Sequence, residues 1–373
     1  MKIVLLAGAR PNFIKAAALW KAFRQMDGMQ VRLVHTGQHR DPSMSGALLK
    51  ELGLPEPDAM LSGKGQTRVR EIARIALALE PILQSWRPDW VVVIGDVTST
   101  LAGAVAAKQM GIPLAHVEAG LRSHDRQMPE ELNRIVVDHL ADLLFPSEEA
   151  GVENLHLEGI PSERVYFAGN VLIDTLAAML PEAGLPDLNT QCALHRPDAA
   201  PAFQPNEYAL FTFHRPSNVD DPTGLRRMID LIRRAARHLP VLFPIHPRTL
   251  HNLKEFNLIY ALPGISELCM LPPLGYRHMI GLLKNARLVV TDSGGVQEET
   301  TWLGKPCLTF RTATERPATV TYGTNTVVDD LQPETAERLI RLILAVQYKS
   351  GKIPPLWDGH AAERIAVKLA SFE

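Results

Sequence analysis

Cysteine is nearly absent: Cys192, Cys269 and Cys307 are the three in a chain of 373 residues. They are far apart and odd in number, which argues against a disulfide framework or a thiolate metal site and points to a reducing, cytoplasmic compartment. Charge of one sign is also lacking. Lys and Arg total 39 against 41 Asp and Glu, a net charge of -2, and no long basic run exists to neutralise the phosphates of a nucleic acid. Long apolar runs are missing too. The first apolar stretch is too short for a secretory leader and runs into Arg10-Pro11 rather than a small-residue cleavage site. The stretch 91–107 is broken by Asp96 and a Thr/Ser cluster, so it is not a membrane span. Neither G-x-G-x-x-G nor a Walker A motif occurs; Gly63-Lys64-Gly65-Gln66-Thr67-Arg68 fails at its last position. Tyr348 and Lys352 have the spacing of a dehydrogenase pair without a dinucleotide motif, and His35 and His39 lack an acidic third ligand. No metal and no nicotinamide cofactor is expected.

What is present is an alternation of short apolar runs and helical stretches, the grammar of parallel α/β sheets. Residues 2–7, 31–36, 90–94, 113–117, 143–146 and 164–168 read as strands, with helices over 11–26, 68–86, 98–111 and 130–140. A second series has strands at 208–212, 241–245, 268–271, 288–291, 307–310 and 326–328, with helices over 222–238, 276–285, 294–303 and 333–347. Between them, 181–205 is rich in proline and alanine and has no clear period, as a linker would. The expectation is two Rossmann-like domains, 1–175 and 176–358, with a last helix within 359–373 packing back on the first. Ligands in open α/β sheets bind beyond the C-terminal ends of the strands, so a cleft between the domains is the expected site.

The unusual residues cluster just past those strand ends. Gly8-Ala9-Arg10-Pro11-Asn12, with Lys15 one turn on, opens a helix with a cation near its N-terminus, which suits an anion but also describes an ordinary βα turn. Gly95-Asp96 follows a strand; Asp96 is a catalytic candidate or a helix N-cap. Glu118 ends the strand His116-Val117-Glu118, and Glu130 and Glu131 open the helix that carries Arg134. Paired carboxylates suit proton transfer at carbon, while one of Glu130 and Glu131 serves the helix dipole. His214-Arg215 follows the first strand of the second series and suits a phosphate or leaving group. Ser293-Gly294-Gly295 joins a strand to a helix as a phosphate cradle does, Glu299 lies one turn into that helix within reach of ribose hydroxyls, and Arg316 supplies a further cation downstream.

Taken in order, these motifs resemble the non-hydrolysing UDP-N-acetylglucosamine 2-epimerases. The resemblance runs from Gly8-Ala9-Arg10-Pro11 through Thr36-Gly37-Gln38-His39, Gly95-Asp96, the stretch 116–134, Gly169-Asn170, His214-Arg215 and the stretch 292–299 to Tyr322-Gly323-Thr324-Asn325. It implies a glycosyltransferase-B-like pair of domains, a homodimer and no metal or nicotinamide. It assigns catalysis to Asp96, Glu118 and Glu130, with His214 beside the leaving diphosphate. Nucleotide binding falls on Arg10, Ser293, Gly294, Gly295 and Glu299, with Lys15, Arg134, Arg215 and Arg316 in the same site. The implied reaction interconverts UDP-N-acetylglucosamine and its manno epimer for surface-polysaccharide precursors. The runners-up are a diacetamido-uronate or hydrolysing epimerase, and a glycosyltransferase on the same scaffold, which needs one base rather than three acids. The chain departs from well-known members at Ala9, at Asn12 in place of an acidic residue, and after His39, where it reads Arg40-Asp41-Pro42.

Overall fold

Apolar runs closed by glycine, proline or a polar turn form the strands here because each is long enough to cross a sheet and too short for a stable helix. The computed structural model describes residues 1–37, 42–62, 65, 67–186, 188, 203–329 and 332–372. The readings that fell on Gln38, His39, Arg40, Asp41, Gly63, Lys64, Gln66 and Cys192 lie outside them, as does most of the linker zone. The chain divides into two units, Met1–Ala178 with Pro355–Glu373, and Met179–Pro354.

The first unit holds one six-stranded sheet built from β1 (Lys2–Ala7), β2 (Gln30–His35), β3 (Ala59–Met60), β4 (Trp90–Ile94), β5 (Leu114–Ala119) and β6 (Leu143–Pro146), in the order β3-β2-β1-β4-β5-β6. Its described pairings are all parallel. Both faces are covered by helices, so β4 and β5 read as unbroken buried runs rather than alternating ones. The helix Ala361–Ala370 packs against the helix Arg10–Gln25. Two expectations need correction. Residues 164–168 form no strand: Ser162–Arg164 is a 3-10 turn after Pro161, and Val165 alone bridges to Leu144. Cys307 is a free, buried thiol, whereas Cys269 is disulfide-bonded, against the expectation of no disulfide.

The second unit repeats the plan. Strands β7 (Ala209–Thr212), β8 (Val241–Pro244), β9 (Leu268–Leu271), β10 (Leu288–Thr291), β11 (Cys307–Phe310) and β12 (Asn325–Val328) lie in the order β12-β11-β10-β7-β8-β9, again all parallel. Counted from its own first strand this is the same doubly wound order as in the first unit. One core face centres on Phe211, Phe213, Phe243 and Phe310 and is closed by the helices Pro222–Ala235 and Pro333–Leu344. In each unit the strand order reverses at one seam, between β1 and β4 and between β7 and β10, and such seams leave a crevice beyond the strand ends.

Candidate active site

At the seam of the first unit, β1 leads into the helix Arg10–Gln25 and β4 into the turn Gly95-Asp96. Asn12 links the two: its amide nitrogen donates to the Ile94 carbonyl at 3.0 Å and its oxygen accepts the Ala9 N–H at 3.1 Å. Asn12 thus takes a structural part at a position first noted as a departure. Lys15, one turn further, is buried and donates to the Glu118 carboxylate, which is also buried. Arg134 donates to the Asp96 carboxylate and, at 2.8 Å, to Glu131. Asn133 holds the Asp96 carbonyl at 2.7 Å.

Glu118 owes its placement to an irregularity in the sheet. Val117 pairs with Phe145 and Ala119 with Pro146, so Glu118 is the extra residue of a bulge between β5 and β6. Its φ is 71°, in the left-handed region. For a non-glycine residue that costs on the order of 1 kcal/mol and is concentrated at functional sites; bulges re-aim side chains in such places. The next residue, Gly120, has a φ of +79°, and a Cβ there would lie 2.2 Å from the Gly151 carbonyl oxygen, so only glycine fits.

Of the two glutamates that open the helix Pro129–Leu140, Glu131 is the structural one. Its carboxylate accepts the N–H groups of Ser123 and His124 at 2.8 and 2.9 Å and pairs with Arg134. Burial alone would raise its pKa, but these donors outweigh it and hold the group below its ordinary value. Glu130 is half-buried, and its carboxylate makes no hydrogen bond or ion pair among the described residues. Arg10, also half-buried, stands first in its helix. Beneath the site lies a chain of buried charges that sequence reasoning did not assign. Asp138 contacts His116 and Arg122, and Arg122 makes a bidentate pair with Glu158, both bonds at 2.7 Å.

At the seam of the second unit one carboxylate organises the turn. Asp292, wholly buried at the end of β10, accepts the N–H groups of His214 and Arg215, at 3.0 and 2.8 Å, and the Asn218 amide at 3.1 Å. It also pairs with His214 Nδ1 at 2.9 Å. Burial opposes its charge, yet the His214 contacts and these amides hold Asp292 below the usual carboxylate range. Asp292 opens the stretch 292–299 that carries the family resemblance, which assigns it no role. The available signal was its position, which after β10 matches that of Asp96 after β4. Burial, followed by the neighbouring charge of Arg311, lowers the pKa of the Arg215 guanidinium.

Ser293 caps the helix Gly294–Trp302 without a side-chain hydrogen bond to it. The helix's first amides therefore have no intrahelical partner, and the helix dipole favours an anion there. Arg316 lies close by: a Cβ on Gly294 would sit 2.8 Å from its Nη1, and its Nε pairs with Glu298 at 2.9 Å. Gly295 follows in the first turn. Glu299 is buried and accepts the Tyr276 hydroxyl at 2.8 Å, so it is fixed in place.

The structure thus brings together Lys15 with Glu118 and Asp96 with Arg134 in one unit, and His214 with Arg215 and Gly294 with Arg316 in the other. Glu130 stays apart from the paired charges of its unit. Among the described residues no cluster of His, Cys, Asp or Glu forms a cation site, and no helix is long and apolar enough to cross a membrane.

Two doubly wound parallel units, each with polar residues gathered at its own switch point, define a protein of the glycosyltransferase-B-like class. The family model for UDP-N-acetylglucosamine 2-epimerase matches residues 21–370. The UDP-N-acetylglucosamine 2-epimerase of Methanocaldococcus jannaschii is 36% identical over 375 residues, spanning 100% of this chain and 99% of the relative. The UDP-2,3-diacetamido-2,3-dideoxy-D-glucuronate 2-epimerase of Pseudomonas aeruginosa is likewise 36% identical over 375 residues, spanning 100% of both. A solved structure of the M. jannaschii enzyme in complex with UDP-GlcNAc and UDP superposes with a TM-score of 0.86 at 35% identity, covering 100% of both chains. The chain belongs to the UDP-N-acetylglucosamine 2-epimerase family.

Proposed function

We propose that this chain is a non-hydrolysing UDP-N-acetylglucosamine 2-epimerase, a cytoplasmic homodimer that supplies a surface-polysaccharide precursor. The reading is carried by the paired carboxylates at the switch point of the first unit, Asp96 with Arg134 and Glu118 with Lys15. The carbon-2 proton of the sugar is poorly acidic, since no neighbouring carbonyl holds the charge, so simple deprotonation and return would be slow. Elimination avoids this. A carboxylate takes the carbon-2 proton as the bond from carbon-1 to the diphosphate oxygen breaks, leaving an unsaturated glycal and UDP. The diphosphate oxygen then adds back to carbon-1 while a proton reaches carbon-2 on the other face.

In this reading Asp96, Glu118 and Glu130 supply the acid–base groups. Arg10, His214, Arg215, Arg316 and the Ser293-Gly294-Gly295 turn stabilise the departing UDP. Glu299 takes ribose hydroxyls, and Lys15 and Arg134 orient the Glu118 and Asp96 carboxylates that they pair with.

The test is incubation with UDP-N-acetylglucosamine in deuterated water, followed by NMR. The expected product is the manno epimer with deuterium at carbon-2, with no free N-acetylhexosamine accumulating. Release of free sugar would make the enzyme hydrolysing instead. Retention of the original hydrogen in the epimer would overturn the elimination. Turnover of the diacetamido-uronate substrate alone would move the substrate assignment to that of the Pseudomonas aeruginosa relative. Light scattering that gave the mass of one chain would refute the homodimer.

A further inference from the structure

The wholly buried Asp138 carboxyl joins three parts of the first unit. One oxygen meets His116 Nδ1 at 2.7 Å. The other accepts the Gly120 N–H at 3.1 Å and lies 2.8 Å from Arg122 Nη1. The second ring nitrogen of His116, Nε2, lies 2.8 Å from the Gly95 carbonyl oxygen.

These contacts determine where the protons sit. A carbonyl oxygen only accepts, so His116 Nε2 carries a proton. Asp138 has a guanidinium and an amide on its second oxygen, and a carboxylate receiving such donors is ionised. His116 Nδ1 therefore donates as well, which makes the imidazole a buried cation. Glu158, paired with Arg122, balances the set at two cations and two anions.

The cluster ends on backbone atoms beside the carboxylates that carry the proposed reaction. Gly95 directly precedes Asp96, His116 lies two residues before Glu118, and Gly120 lies two after it. Between them Glu118 is the bulged residue with positive φ. Replacing a buried ion pair by apolar side chains is often neutral or stabilising, so stability alone is a poor reason for four charges at this spot. Fixing a strained residue from both sides is a better one.

We propose that the His116–Asp138 ion pair is a positioning device that holds the Glu118 bulge and the Gly95 carbonyl so that both carboxylates meet the substrate in register. The proposal rests on the reading that Asp96 and Glu118 transfer protons. It extends that reading to residues that touch no substrate.

The experiment uses the full-length enzyme labelled with 15N-histidine. In the wild type both His116 ring nitrogens should read as protonated in the 15N spectrum, as the two acceptors that face them require. Asp138→Asn should turn His116 neutral. It should also lower kcat by about tenfold to a hundredfold, the usual penalty for a small misplacement of catalytic groups. KM and UDP affinity should stay within about twofold, since the interaction lost is realised in the transition state.

A neutral His116 in the wild type would overturn the proposal, and that measurement stands even if the variant fails to fold. Unchanged kcat in a folded Asp138→Asn enzyme would overturn it too, as would equal damage to kcat and UDP affinity. The underlying reading fails by a different result, full turnover in Asp96→Asn and Glu118→Gln, which leaves the His116 signal untouched.

Discussion

Asp292 and His214 are bonded twice, through the His214 N–H at 3.0 Å and through its Nδ1 at 2.9 Å. The second contact fixes the imidazole plane. Nδ1 faces a carboxylate, so the tautomer is set, and Nε2 is left for a partner other than the described residues. Asp292→Asn should lower kcat by about a hundredfold, as loss of an oriented acid–base or electrostatic group typically does. Asp292→Ala should also destabilise the fold by on the order of 2–4 kcal/mol, because the buried amides it serves lose their acceptor. Steady-state kinetics with urea denaturation separates the two effects. An Asp292→Asn enzyme with normal kcat would show that the pairing is incidental.

Gly294 faces the Arg316 guanidinium, and an added Cβ would lie 2.8 Å from Nη1. The atom in the way is the end of a long side chain, so Gly294→Ala should fold normally and displace the guanidinium from its Glu298 partner. UDP affinity, read by calorimetry, should drop about tenfold, equivalent to about 1.4 kcal/mol. Undiminished affinity would remove both Gly294 and Arg316 from the diphosphate site.

Much of the architecture was legible because parallel strands buried on both faces are apolar runs with sharp ends, as 90–94 and 288–291 show. Helices with a clear stripe, such as Arg68–Trp86, were equally plain. The helix Val171–Met179 was missed because it is apolar almost all round and has no period to detect. Pro247–Glu255 was missed for the opposite reason, since it buries little more than Thr249 and Leu253. At the site, the residue types and their places at strand ends could be read. Their pairings could not: Lys15 and Glu118 are 103 residues apart and His214 and Asp292 are 78 apart, and only the strand order brings each pair together.

Asp174 sets a pH dependence of stability. It caps the helix Ala361–Ala370 through the Ala362 N–H at 2.6 Å, and its side chain is buried. Burial pushes its carboxyl up to about 6 from 3.8, against the amides of Ala362 and Ala361. The folded state therefore holds this proton more tightly than the unfolded chain. Its contribution to stability falls as pH rises from about 4 to about 6 and is flat above, with a total of up to about 3 kcal/mol. Asp174→Asn keeps the cap and removes the charge, so the variant should gain on the wild type as pH climbs through that window. Denaturant melts of both proteins at pH 5 and 8 check this, and a stability difference independent of pH would refute it.

Lys15 and Glu118 form a buried ion pair at the centre of the proposed chemistry. A carboxylate out of water depends on the cation beside it for its charged form. Lys15→Met keeps the apolar stem and removes that cation. Deprotonation of Glu118 then becomes harder, so the acidic limb of the pH–kcat profile should move to higher pH. If Glu118 must be ionised to take the carbon-2 proton, activity at neutral pH should fall by about tenfold to a hundredfold and recover in part as pH rises. Lys15→Arg restores a positive charge with a different shape, so it should keep the wild-type acidic limb while losing some kcat to misfit. A Glu118→Gln enzyme has no carboxyl to titrate and should show neither the shift nor the recovery. The discriminating measurement is the full pH profile of the three variants against the wild type. A Lys15→Met profile that is lowered evenly, with its acidic limb unmoved, would mean that Lys15 binds substrate without setting the charge of Glu118.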